Sequence, residues 1–127
     1  MGLTLFPGDG DVSSPDVAWS YCGFDEFRRR LAQAEGFVLS EMLSFGGERS
    51  WRDVSIALAP LLNRPDDGGG ELSPTECAAI LPRLEEIVEQ WQDGTGELFL
   101  RRHLVDARRL TVVLRRCIER DVDLLFL

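Results

Sequence analysis

The chain contains one histidine, His103, and three cysteines, which are the side chains with the widest use in catalysis. Any mechanism that needs an imidazole must therefore use His103. A dyad of His103 with Cys117 is excluded on one continuous helix, because their separation of fourteen positions corresponds to about 21 Å along the helix axis. A pair of His103 with Cys22 stays open, although no neighbour of Cys22 in the sequence would activate its thiol. We expect a histidine that is packed in the core or lies at its edge, on the same helical stripe as Leu110 and Cys117.

The cysteine spacing argues against a structural metal or a disulfide framework. Cys22, Cys77 and Cys117 are an odd number of thiols and lie 55 and 40 residues apart. Zinc sites and disulfide frameworks need clustered or paired cysteines, so the sequence predicts neither.

The sequence lacks the residues that most other common catalytic sites require. All 14 basic residues are arginine, which excludes lysine-dependent Schiff bases and the lysine of a phosphate loop. No serine nucleophile elbow, zinc-binding histidine pair or glycine-rich dinucleotide loop is present. Catalysis by paired carboxylates stays open, but the sequence favours a protein that is not an enzyme.

Residues 65–76 resemble a twelve-residue calcium-binding loop. On this alignment Asp67 takes position 3, Gly70 the required glycine and Glu76 the bidentate position 12. Pro65 and Gly69 stand where two further ligands belong, so calcium binding is an alternative and no cofactor is the primary expectation. The acidic residues that such a metal site would use are Asp66, Asp67, Glu71 and Glu76.

Arginine pairs recur every seven residues near the end of the chain: Arg101, Arg102, Arg108, Arg109, Arg115 and Arg116. On a helix this spacing places them on one face, away from Leu104 and Leu114. Such a face would dock an acidic partner or a phosphate group. The interpretation we favour here is a solvated face, or one paired with acids of the preceding predicted helix, Glu85, Glu86, Glu89 and Asp93.

Four aromatic residues lie close together in the sequence: Trp19, Tyr21, Phe24 and Phe27. Clusters of this kind are most often part of the core. The functional alternative is a small-molecule pocket, in an accessory protein or an enzyme, formed by Trp19, Tyr21 and His103.

Helical periodicity dominates the elements that would position these residues. Apolar spacing predicts four main helices, over residues 24–35, 50–62, 73–92 and 97–120, and a short helix over residues 38–45. Gly36 is a C-terminal stop, and Ser73, Pro74 and Glu76 form a capping box with proline at the first helical position. Pro82 predicts a kink or a break in the third helix. The last helix carries a seam of Leu100, Leu104, Ala107, Thr111, Leu114 and Ile118.

The fold that we expect is therefore mainly α, a single-domain helical bundle of about four helices. Residues 1–18 are rich in turn formers and form a loop-rich segment before the helical core of residues 19–127. The apolar residues 122–127 predict a strand beside residues 3–6, in a two-stranded element that joins the termini, or a tail packed on the bundle.

Charge narrows the class of partner. The net charge is −8, and it divides into −11 for residues 1–97 and +3 for residues 98–127. Attraction to nucleic acid or to an anionic membrane is not expected. We expect a cytoplasmic, acidic protein-binding module, of the inhibitor or immunity type, for a basic protein partner. Formation of a homodimer stays open.

Several segments are similar to a family of small acidic actinomycete proteins of unknown function. They are residues 19–24 (Trp-Ser-Tyr-Cys-Gly-Phe), 27–28 (Phe-Arg), 70–77 (Gly-Glu-Leu-Ser-Pro-Thr-Glu-Cys) and 81–84 (Leu-Pro-Arg-Leu). The resemblance extends from about Trp19 to the end of the chain. Members of the family carry a more acidic turn before the Gly-Glu-Leu segment, where this chain has Pro65 and three glycines. The resemblance implies a bacterial, cytoplasmic origin and no particular activity.

Overall fold

A computed structural model describes residues 2–54, 56–63, 70–93 and 98–127. Within them lie four strands, β1 (Gly2–Pro7), β2 (Val17–Ser20), β3 (Glu71–Leu72) and β4 (Leu124–Phe126). The helices are α1 (Tyr21–Ala34), α2 (Ala59–Leu62), α3 (Pro74–Asp93) and α4 (Leu98–Arg120), and 3₁₀ turns occupy Leu39–Glu41 and Trp51–Asp53. No helix in these ranges is both long enough and apolar enough to cross a membrane.

The strands form one antiparallel sheet in the order β2-β1-β4-β3. The predicted pairing of the two ends of the chain is confirmed, because Leu5 in β1 lies opposite Phe126 in β4. The prediction of about four helices that dominate the fold is confirmed for the described residues, but the fold is not a pure helical bundle, because β2 and β3 extend the sheet on both sides. β3 has only two residues, so its sequence carries too little alternation to identify it.

Helices α1 and α3 begin at local capping signals. The Ser20 side chain accepts a hydrogen bond from the Gly23 N–H at 3.0 Å, so α1 starts three residues earlier than predicted. At α3 the predicted capping box is confirmed: Ser73 N–H donates to Glu76 Oε1 at 3.0 Å, and Glu76 N–H donates to Ser73 Oγ at 3.1 Å. Gly36, at φ +88°, follows the end of α1 as predicted.

The second predicted helix, over residues 50–62, is replaced by two shorter pieces. Ser50 caps a 3₁₀ turn of three residues, Val54 is extended, and the helix resumes only as the four residues of α2. Pro60 explains the interruption, because a proline inside the longer helix would lack its N–H donor and clash with the preceding turn. In α2 it occupies the first turn, where proline is tolerated.

The segment 38–45 also differs from the prediction. The predicted short helix is only the 3₁₀ turn Leu39–Glu41, after which Met42 is extended.

Helix α3 runs through Pro82 without a break. Its buried face continues on both sides of the exposed proline, with Ile80 before it and Leu84 after it, and this packing offsets the lost backbone hydrogen bond.

The inner face of helix α4 is central to the core. The helix packs against α3 and against strands β1, β2 and β4. The sheet turns Leu3, Leu5 and Trp19 toward the helices, and β4 adds Leu124 and Phe126. These residues join the helical side chains in one hydrophobic core.

Candidate functional site

Helix α4 has two chemically distinct faces. Its inner face is buried and consists of His103, Leu104, Ala107, Leu110, Thr111, Val113, Leu114 and Cys117. The predicted seam is thus confirmed from Leu104 onward, and the Leu100 side chain lies outside the described residues. The predicted stripe of His103, Leu110 and Cys117 also lies inward.

We call the opposite side of α4 the arginine face. It comprises Arg101, Arg102, Val105, Arg108, Arg109, Val112, Arg115 and Arg116. All are exposed except Arg116, which is half-buried at the edge. Val105 and Val112 are 46% and 48% exposed, and each lies within one helical turn of an arginine pair on either side. The face is therefore a seven-residue unit of two arginines and one valine, repeated along the helix.

The pairing of this face with acidic α3 is limited to one contact. Arg115 forms an ion pair with Glu85 of α3. Within the described residues, four exposed arginines form neither an ion pair nor a side-chain hydrogen bond: Arg101, Arg102, Arg108 and Arg109. Within the part of the chain that the structure describes, the pairing with α3 that the sequence favoured thus applies to Arg115, and the other exposed arginines of the face form no ion pair with α3.

Polar contacts fix α4 in the fold at its middle and at its end. Trp19 Nε1 donates a hydrogen bond to Asp106 Oδ2 at 2.9 Å, which links β2 to α4. Arg120 Nη1 lies 3.2 Å from Asp9 Oδ2 and 3.3 Å from Asp11 Oδ2. The Ser14 hydroxyl and the Asp11 N–H donate hydrogen bonds to Asp9 and, with Arg120, hold the pKa of that carboxyl below its usual value.

His103 is packed among aromatic rings on the inner face, as predicted. Its ring centroid lies 6.0 Å from that of Phe27 and 6.4 Å from that of Trp91. Burial, followed by the nearby Arg30 charge, lowers the pKa of the imidazole. Its Nδ1 is buried and has no hydrogen-bond partner in the described part of the chain. Cys22, the thiol left open as its partner, is exposed.

The predicted ligand-pocket residues are only partly brought together. Trp19 stacks on Phe27 with centroids 5.0 Å apart, so Trp19 and His103 belong to one aromatic cluster, whereas Tyr21 is exposed. A cavity of about 310 Å³ does lie beside His103. Its other described lining residues are polar side chains of α1: Glu26, Arg29, Arg30 and Gln33.

Two of the four predicted metal ligands, Glu71 and Glu76, lie in the part of the chain that the structure describes. Asp66 and Asp67 lie outside the described residues. Glu76 is engaged in the capping box, and Glu71 is exposed on β3. Among the residues that the structure describes, no group of three or more histidine, cysteine or acidic side chains is arranged to hold a metal ion.

Two buried thiols lie on the helices α3 and α4. Cys77 and Cys117 are 40 residues apart in the chain, and both are fully buried. Cys77 lies in the first turn of α3 and Cys117 in the last turns of α4. The Cys117 thiol donates a hydrogen bond to the Asp123 carbonyl oxygen, with the sulfur and oxygen 3.9 Å apart.

Comparison with known proteins gives no guide to function. No family model, curated protein or solved structure matches this chain. The functional proposals therefore depend on the geometry and charge of the described residues.

Proposed function

We propose that this protein is a non-enzymatic protein-binding module, and that its arginine face docks onto an acidic amphipathic helix of a partner protein. The observation that carries the proposal is a set of four exposed arginines around Val105 and Val112 that form no ion pair with any described residue. The fold makes no use of these guanidinium groups in the described residues. Arginine is the cation best suited to bidentate binding of carboxylates, so an acidic surface is the natural complement.

The charge distribution concentrates attraction for acidic partners on this one helix. Helix α4 carries seven arginines and two acids, a net charge of +5, whereas the rest of the chain has a net charge of −13. An acidic partner is attracted to α4 and repelled by most other surfaces. This contrast favours one docking orientation and accelerates the encounter.

The spacing favours a helix as the docked element. Val105 and Val112 are seven residues apart, which is about 10.5 Å along the axis of α4. A partner helix with one apolar residue every two turns would place those side chains against the valines. Acidic residues beside its apolar stripe would then lie opposite the arginine pairs, as charged flanking positions do in coiled coils.

Two features favour protein over nucleic acid. The net charge of −13 outside α4 would repel a phosphate backbone that extended beyond the helix. The exposed valines also have no counterpart among phosphates, whereas they match an apolar stripe on a helix.

Affinity capture with matched variants tests this proposal. Nuclease-treated extract of cells that make the protein is passed over wild-type chain, Arg108→Gln/Arg109→Gln and Arg49→Gln/Arg52→Gln. Arg49 and Arg52 are exposed, so the control makes the same charge change away from α4. We expect wild type and control to retain a stoichiometric protein with an acidic helical segment, and the α4 variant to lose it. Equal retention by both variants, or retention that nuclease abolishes, would contradict the proposal.

An inhibitor or immunity-type protein for a basic partner is the second candidate function. It is favoured by the net charge of −13 outside α4 and by exposed acids on α3, including Glu89 and Asp93. The same capture distinguishes the two. If this candidate is correct, Glu89→Gln/Asp93→Asn loses the partner and Arg108→Gln/Arg109→Gln keeps it.

A further inference from the structure

We propose that the cavity beside His103 is a binding site for a free α-amino acid. The cavity measures about 310 Å³, which is at the lower end of the range of about 300–1,000 Å³ for small-molecule sites. Its described lining residues are His103 and four side chains from one face of α1, Glu26, Arg29, Arg30 and Gln33. None of them belongs to the arginine face, so the inference is independent of the proposed protein docking.

His103 is the buried polar residue in the wall of this cavity. It is 6% exposed, and its Nδ1 has no hydrogen-bond partner in the described part of the chain. A buried polar atom without a partner is unfavourable, and a ligand that supplies the partner removes that cost. A half-turn about the Cβ–Cγ bond exchanges Nδ1 with a ring carbon in nearly the same volume. The imidazole can therefore turn Nδ1 toward a ligand without a larger site.

Charges of both signs lie around the imidazole. Glu26 is three positions before Arg29 and four before Arg30, so opposite charges adjoin on one face of α1. Burial lowers the pKa of His103 most. The Arg30 charge lowers that pKa further, whereas the Asp106 and Glu26 charges raise it. The ring is thus neutral at pH 7, and a neutral imidazole has one nitrogen that accepts a hydrogen bond.

This charge pattern selects a ligand that carries both charges. A purely anionic ligand would be repelled by Glu26, and a purely cationic ligand by Arg29 and Arg30. An α-amino acid carries its carboxylate and its ammonium on the same carbon. The arginines would bind the carboxylate, and Glu26, which forms no ion pair with any described residue, would bind the ammonium together with His103.

The elements that form the cavity also suit a ligand site. Glu26 and Arg29 are exposed, so a ligand reaches them directly from solvent. The Arg29 Nε–H donates to Asp25 Oδ2 at 2.7 Å, which orients the guanidinium and leaves its outer N–H groups for a carboxylate. The His103 ring is held by packing against Phe27 and Trp91. Side chains held in this way lose little freedom when a ligand binds.

Titration of the full chain, followed by nuclear magnetic resonance, tests the proposal. The single histidine gives one set of imidazole signals. The common amino acids are added one at a time at constant pH and ionic strength, with acetate as the anionic probe and methylammonium as the cationic probe. We expect at least one amino acid to shift the His103 ring signals saturably. Acetate and methylammonium should not do so at the same concentrations.

Neutralising single charges tests the assigned contacts. Glu26→Gln and Arg30→Gln should each weaken binding of that amino acid by at least about tenfold. Glu48→Gln and Arg52→Gln are the matched controls, because these exposed residues do not line the cavity, and they should bind like wild type.

Three results would overturn the proposal. The first is that no amino acid shifts the His103 signals in the wild type. The second is that acetate shifts them as strongly as the best amino acid, because the cavity would then bind anions in general. The third is equal binding by Glu26→Gln and its control Glu48→Gln. Both of these positions are exposed, so this comparison does not depend on replacing a buried side chain.

Discussion

The inner face of α4 is buried in the core, whereas its outer face is exposed. On the inner face, Leu110 and Leu114 are at most 1% exposed, and packing accounts for their presence. On the outer face, Val105 and Val112 are about half exposed, and the arginines around them are mostly without partners in the described chain. The difference separates side chains that the fold requires from side chains that it leaves available. We therefore expect mutations on the inner face to lower stability, and mutations on the outer face to affect binding.

The largest effect is expected from the centre of the inner face. Leu114→Ala should lower the free energy of unfolding by about 2–5 kcal/mol, because it removes packed methyl groups and leaves a cavity. Val112→Ala, two residues away on the outer face, should change it by about 0.5 kcal/mol or less. Urea unfolding of both variants measures the contrast. Similar losses of unfolding free energy in the two variants would contradict the claim that only the inner face stabilises the fold.

A smaller loss is expected at the hydrogen bond that links β2 to α4. Asp106→Ala removes the acceptor of the Trp19 indole N–H, and the Trp19 side chain is only 7% exposed. We expect the free energy of unfolding to fall by about 1–3 kcal/mol, because a buried donor is left without a partner. Glu119→Ala is the control, because it removes the same charge from an exposed position of α4. Equal stability of the two variants would show that the Trp19 contact contributes nothing.

His103 makes the inner face sensitive to pH. Burial and Arg30 lower its folded-state pKa below the ordinary 6.5, Arg102 adds to this, and Asp106 and Glu26 oppose it. The unfolded chain then binds more protons than the folded chain just below pH 6.5. The free energy of unfolding is therefore highest, as far as His103 contributes, above pH 6.5. It falls as the pH drops below 6.5 and becomes constant again below the folded-state pKa of His103.

The chain's single histidine allows a clean measurement of this effect. Unfolding free energies between about pH 7.5 and pH 5.5, above the carboxylate range, should fall in the wild type and stay nearly flat in His103→Gln. Parallel curves would assign the pH dependence to other groups. An imidazole resonance that titrates above 6.5 would contradict the sign of the shift.

The smallest effect on stability is expected on the arginine face. Arg108→Gln/Arg109→Gln should change the free energy of unfolding by about 0.5 kcal/mol or less, because neither side chain forms an ion pair in the described residues. A loss of more than about 1 kcal/mol would mean that these arginines support the fold.

The parts of the fold that were predictable from sequence have local causes. The capping box at Ser73 involves residues three positions apart, and the α4 seam repeats within one helix, so both are readable from neighbouring residues. The outward placement of the arginine pairs follows from the same periodicity. Pro60 is an equally local signal, and it explains why two shorter elements replace the predicted helix over residues 50–62.

The remaining features depend on contacts between distant segments. The two-residue strand β3 exists because β4 provides its partner, and nothing within Glu71 or Leu72 specifies a strand. The burial of Cys77 and of Cys117 likewise needs α3 and α4 to be packed against each other. Among the described side chains, only Arg115 of the arginine face forms an ion pair with an acid of α3, and this depends on how the helices are rotated, which sequence charge does not determine.

The most direct test of the central claim, that the arginine face binds a partner and is dispensable for folding, is the dissociation constant of the captured complex. It should be measured for wild type, Arg108→Gln/Arg109→Gln and Arg49→Gln/Arg52→Gln at low and at physiological salt. We predict that the α4 variant weakens binding by at least about tenfold and that the control remains close to wild type. Equal weakening by the two variants would attribute binding to net charge alone and would contradict the claim.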